Sequence, residues 1–142
     1  MGAQDSHQGV HTDAAPSPIG PYSQAVKHAG LVYVSGQLPV DPKTNGLVEG
    51  NIRVQAERTI ANLSAVLEAA GSSLDQVLRT TVFLSDLSLF PQVNAVYAEQ
   101  FRGDPLPARA TVQVAALPLR ALLEIDAIAV VHGADQSGGE GV

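Results

Sequence analysis

The chain has no cysteine and no tryptophan, a single methionine, and only six aromatic residues among 142 positions. Without cysteine there is no disulfide framework, no thiolate metal site and no cysteine nucleophile. Six Tyr and Phe are too few for a stacking platform that would bind single-stranded nucleic acid. Charge is also sparse: Asp, Glu, Lys and Arg make up 15% of the residues, against roughly 25% in an average soluble domain. The 8 Lys and Arg are outnumbered by 14 Asp and Glu. A net charge of −6 opposes electrostatic binding to nucleic acid or to an anionic membrane surface. No apolar run reaches the roughly 18 residues of a spanning helix. The N-terminus lacks the basic-then-apolar order of a secretory leader, so a cytoplasmic location is expected.

What is present is apolar, 45% of the chain, which excludes disorder over most of its length. Residues 1–15 are polar and aperiodic and are expected to form a disordered arm, and residues 133–142 have the composition of a flexible tail. One domain, residues 16–132, lies between them. Asp5, Asp13, Asp135 and Glu140 all lie in the two ends, which leaves 8 basic and 10 acidic residues and a net charge of −2 on that domain.

The domain opens with PSPIGPYSQAV, extended and turn-rich because three prolines surround Gly20. Leu31–Ser35 is a short apolar run ending at Gly36 and predicts a buried strand. Pro39, Pro42, Asn45 and Gly46 predict a loop. From about Asn51, the apolar residues Ile52, Ala56, Ile60, Leu63, Leu67 and Ala70 recur every three or four positions, and Gly71 follows where a C-terminal cap belongs. Val77–Leu84, rich in β-branched residues, predicts a strand. Asp86 or Ser88 is placed to cap a second helix with Pro91 in its first turn, Phe90, Val93, Tyr97 and Phe101 on its inner face, and Gly103 at its end. Arg109–Ala115 and Leu123–Val131 predict two further strands.

The order β–α–β–α–β–β implies an α+β, two-layer domain, a mixed sheet with two helices on one face. The other face then has no cover from its own chain. In Leu123–Val131 both alternating faces are largely apolar, so the uncovered side is expected to meet another subunit.

Charge inside strands stands out in so uncharged a chain. Alternation puts Arg109, Thr111, Gln113 and Ala115 on one strand face, and Glu124 and Asp126 together on another. A guanidinium fork suits a planar carboxylate, and a carboxylate beside it suits the orientation and deprotonation of water. With Arg109 at the start of one strand and Glu124 near the start of the next, the two can line a common edge or pocket. Spacing alone favours the plainer arrangement, in which they pair with each other or face solvent at a strand end. Tyr22 reads either as a packed aromatic or as a site residue, and Asn94 either as an exposed helix residue or as a site residue. His7, His11, His28 and His132 form no convergent set of three or four metal ligands. No nucleophile elbow, dinucleotide fingerprint or phosphate-binding loop is present.

Six ordered blocks carry a resemblance: PIGPYSQAV (18–26), VSGQLPVDP (34–42), TTVFLSDL (80–87), VNAVYAEQF (93–101), PARATVQVAALP (107–118) and LEIDAIAV (123–130). In these the chain resembles the reactive-intermediate deaminase family, also called RidA, YjgF or L-PSP-type proteins. The resemblance implies a chorismate-mutase-like fold assembled as a homotrimer, with a cleft between each pair of subunits. It implies hydrolysis of 2-imino acids to 2-oxo acids and ammonia with no metal or organic cofactor. It also implies catalytic roles for Arg109, which would grip the substrate carboxylate, and Glu124, which would position water. Tyr22, Ser35, Gly36, Asn94 and Thr111 would line the cleft; many family members have cysteine at the position of Thr111. Two other readings use the same chain: a non-enzymatic trimer that binds a small carboxylate, and an endoribonuclease, which the acidic balance opposes.

Overall fold

The computed structural model describes residues 6–132. Asn51 starts the first helix, α1 (Ile52–Ala69), by accepting the Val54 N–H on Oδ1 at 3.1 Å. Gly71 ends it with φ +85°, and the Ser72 and Gly71 N–H groups return to the Leu67 and Glu68 carbonyls. These are the two hydrogen bonds of a Schellman cap, which needs the left-handed backbone that glycine adopts without steric cost. The second helix, α2 (Phe90–Gln100), follows a 3-10 turn over Leu87–Leu89 that Asp86 caps through the Ser88 N–H. It stops short of Gly103, because Phe101 turns back into the core at 2% exposure.

Eight strands complete the domain: β1 (Gln8–Val10), β2 (Ala25–His28), β3 (Leu31–Gln37), β4 (Val40–Asp41), β5 (Gly46–Leu47), β6 (Val77–Leu84), β7 (Ala108–Gln113) and β8 (Leu123–Val130). Six of them form one mixed sheet in the order β1-β2-β3-β8-β6-β7, in which only β6 and β7 pair in parallel. The last strand, β8, therefore lies at the centre, between β3 and β6. Both helices pack on one face. There Ile60, Leu63 and Leu67 of α1 and Val93 and Val96 of α2 meet Val32, Val82, Leu123 and Ile125 in one core. Each such fully buried side chain contributes roughly 1.5–3 kcal/mol of hydrophobic stabilisation. No helix among the described residues is long and apolar enough to cross a membrane.

Three expectations are corrected. Residues 6–15 are not a loose arm: Gln8–Val10 pairs with β2, and Val10 and Ala15 are buried. The cause is Gln24, whose Nε2 donates to the Thr12 and Pro16 carbonyls (3.0 and 2.9 Å) and whose Oε1 accepts the Thr12 N–H at 2.7 Å. Residues 1–5 of that arm, and the tail from 133, lie outside the described residues. The loop expected around Pro39–Gly46 contains the small β4–β5 hairpin. The turn-rich opening runs directly into β2, so the sheet has six strands rather than four.

Candidate functional site

Arg109 lies on β7, an edge strand, opposite the buried Thr80 of β6. This pairing turns Arg109 toward the helix-covered side, where its Cζ sits 5.3 Å from the ring centre of Phe90 and 4.7 Å from that of Tyr97. Both rings belong to α2. Tyr97 is itself stacked on Phe101, with centroids 4.1 Å apart, and its hydroxyl shares a 2.8 Å hydrogen bond with Thr80. Burial raises the pKa of the Tyr97 phenol, while the Thr80 hydrogen bond and the Arg109 charge oppose the rise. A guanidinium laid on aromatic faces is held by cation–π attraction and keeps its donor edge free. Among the described residues Arg109 makes no ion pair. It lines a cleft of about 590 Å3 with Asn94, Leu106 and Pro107. Thr111, half-buried, is on the same strand face two residues along.

Glu124 is set by a different device. The pairing of β3 with β8 runs from Val34–Ala127 to Gln37–Ile125, so β3 carries one extra residue in a bulge at Ser35-Gly36. The Glu124 carboxylate lies over Gly36: a Cβ there would collide with Oε2 and lie 2.7 Å from Cδ. Any residue but glycine at 36 would displace the carboxylate. Glu124 is half-buried, and this burial, with the negative charge of Asp126 adding to it, raises its pKa above the ordinary glutamate value. Ser35 Oγ donates to the Ser23 carbonyl at 2.6 Å, which ties the bulge to the segment carrying Tyr22. Tyr22 is 53% exposed and shares a second pocket, of about 220 Å3, with Gly36.

The site residues thus form two groups. Tyr22, Ser35, Gly36 and Glu124 cluster around the β3 bulge. Asn94, Arg109 and Thr111 cluster beside α2. Strand pairing shows that Arg109 and Glu124, the charged member of each group, face opposite ways. Arg109 pairs with Thr80 and Glu124 with Phe83, on either side of the same strand β6. Positions 80 and 83 differ by an odd number and point to opposite sheet faces. Arg109 and Glu124 therefore neither pair with each other nor share a pocket within one chain, which corrects the expectation of a common edge. Asn94, taken by itself as a possible exposed helix residue, is half-buried in the Arg109 cleft.

Sequence reasoning placed Phe90 and Tyr97 on the inner face of α2 and missed that they also carry Arg109. The signal was their i, i+7 spacing on the same helix face as Asn94. Gln24 was missed altogether, and an isolated glutamine gives no periodic signal of its role. His11 hydrogen-bonds Asp13 at 3.1 Å, and no group of three or more His, Asp or Glu among the described residues is placed to hold a metal.

Comparison with known proteins adds the family. The endoribonuclease L-PSP family model matches residues 12–131. A RutC family protein of Sulfurisphaera tokodaii is 50% identical over 119 residues, 84% of this chain and 94% of that protein. The 2-iminobutanoate/2-iminopropanoate deaminase of Mus musculus is 46% identical over 121 residues, 85% of this chain and 89% of its own length. The crystal structure of RidA from an Antarctic Psychrobacter matches with a TM-score of 0.83 at 48% identity, covering 87% of this chain and 99% of that one. On these matches the chain belongs to the endoribonuclease L-PSP family, the same family of reactive-intermediate deaminases that its six sequence blocks resemble.

Proposed function

We propose that the protein hydrolyses 2-imino acids to 2-oxo acids and ammonia, at sites that two subunits of a homotrimer complete together. The observation that carries this reading is Arg109: a guanidinium with no carboxylate partner among the described residues, fixed on Phe90 and Tyr97 at the mouth of a cleft. Its fork is free to take a substrate carboxylate through two parallel hydrogen bonds. A neighbouring subunit's Glu124 supplies the second group. Its carboxylate accepts a proton from water as the water oxygen attacks the imine carbon. The carboxyl passes that proton to the imine nitrogen to give the carbinolamine. The carboxylate then takes the carbinolamine hydroxyl proton and delivers it to the same nitrogen, and the carbon–nitrogen bond breaks to release ammonia and leave the 2-oxo acid. Glu124 returns to its starting state, and no electrons are exchanged. Because imine hydrolysis already proceeds in water, positioning of water and substrate is sufficient catalysis. The small number of basic residues weighs against RNA cleavage.

The test is ammonia release from 2-iminopropanoate generated in place by an amino-acid oxidase. Wild-type protein is expected to accelerate it. Arg109→Ala is expected to lower kcat/KM by about 100-fold or more, since it removes both carboxylate binding and alignment. Glu124→Gln is expected to keep 2-oxo acid binding and lose turnover. Full activity in either variant would remove that residue from its role. Binding of a 2-oxo acid without accelerated ammonia release would instead establish a carboxylate-binding protein.

A further inference from the structure

The turn between β7 and β8 carries backbone strain that packing does not explain. Leu119 and Arg120 both have left-handed backbone, with φ of +60° and +59°, inside a short 3-10 turn. A residue with a Cβ is sterically disfavoured there, and such outliers persist only where the surroundings hold them. Leu119 gains little burial in return. Its side chain is 50% exposed, whereas Ala121, just after the turn, is 1% exposed. What the conformation achieves is position. Leu119 forms part of the wall of the 220 Å3 pocket, together with Ile19, Tyr22, Gly36, Leu38 and Val40. Asn45, another non-glycine residue with positive φ (+59°), lines the same pocket.

The lining has a definite chemistry. Among the described residues no charged side chain contributes to it. The amide of Gln24 is taken up by the main chain of Thr12 and Pro16, and the Gln37 amide donates to the Ser35 carbonyl. The remaining surface is mainly aliphatic and aromatic. Its volume is several times the roughly 30 Å3 share of a water molecule, more space than a methyl group fills. The pocket also adjoins the reacting centre assigned above, because Gly36 lines it and carries the Glu124 carboxylate.

This inference rests on that functional reading: if water attacks a carbon held beside Glu124, the substituent on that carbon opens into this pocket. We propose that Leu119 is a specificity-determining residue. Held by its strained turn, it forms the wall of a subsite for the uncharged aliphatic side chains of 2-imino acids larger than the alanine-derived one. A well-fitted methylene in such a pocket discriminates by about tenfold or somewhat more.

The experiment compares kcat/KM for 2-imino-4-methylpentanoate and 2-iminopropanoate, each generated in place from its amino acid. Wild-type protein is expected to favour the larger substrate by about tenfold or more. Leu119→Gly, which relieves the backbone strain and so does not put folding at risk, is expected to bring the ratio to within about threefold of unity, mainly through a higher KM for the larger substrate. Leu119→Met is expected to restore most of the preference. Equal ratios in the wild type and Leu119→Gly would overturn the proposal. If the wild type hydrolyses neither imine, the functional reading fails, and calorimetry with 4-methyl-2-oxopentanoate and pyruvate then decides the subsite alone. A Leu119-dependent preference for the larger 2-oxo acid would uphold it, and no preference or no binding would overturn it.

Discussion

A carboxylate that is half-buried and has a second carboxylate two residues away on the same strand face resists ionisation. Glu124 is such a group: burial is the larger cause of its raised pKa and Asp126 the smaller. As a base it must be ionised, so turnover should fall as the pH drops through the raised pKa, above the range of an ordinary glutamate. For folding the sign is reversed. The folded chain holds that proton more tightly than the unfolded chain, so the stabilisation it provides is present at low pH and declines as pH rises through the raised value. Asp126 accepts the Thr81 N–H at 3.0 Å through Oδ1, a hydrogen bond that asparagine can also accept. Asp126→Asn should therefore keep the strand pairing while removing the like charge. The acidic limb of the kcat–pH profile is expected to move to lower pH in this variant. An unmoved limb would mean that Asp126 does not tune Glu124.

Elements in this chain were legible in proportion to how far they are held by side-chain pattern. The 18 residues of α1 have a helical apolar period, a capping asparagine and a closing glycine. Asn51→Ala should consequently cost about 1 kcal/mol by orphaning the Val54 N–H. For a domain of this size that lowers Tm by roughly 3 °C, a difference that calorimetry resolves; an unchanged Tm would show that the cap is not used. Strands β6 and β8 were equally legible from β-branched content and alternation. Strands β1, β2, β4 and β5 were not, because they are two to four residues long and are held by backbone pairing and by buried amides, Gln24 beside β1 and β2 and Asn62 on the Val40 carbonyl of β4. The site was half legible for a related reason. Alternation correctly put Arg109 and Thr111 on one face and Glu124 with Asp126 on another. Which faces coincide depends on strand order, and nothing local to LEIDAIAV announces that the last strand inserts between β3 and β6.

At the scale of the whole molecule, the sheet face away from the helices is still open. Tyr33 is 45% and Val112 41% exposed there, and strand pairing puts Phe83 and Ile128 among them. An apolar face of this kind is the expected seat of a subunit contact. Assembly also answers a geometric problem: Glu124 belongs to this open face and Arg109 to the other, so one chain cannot aim both at one substrate. The proposed trimer solves it by drawing the two groups from different chains, and that has a consequence a merely structural trimer lacks. Arg109→Ala and Glu124→Gln homotrimers should each be inactive. Dissociated, mixed in equal amounts and reassembled, they should regain activity, because some interfaces then join an intact Arg109 from one chain to an intact Glu124 from the other. With random assembly of a cyclic trimer that holds for about one quarter of the sites. Recovery near that fraction, in material whose mixed composition is verified by native mass spectrometry, would establish a shared site. Verified mixed trimers that remain inactive would show that neighbouring chains do not complete each other's sites.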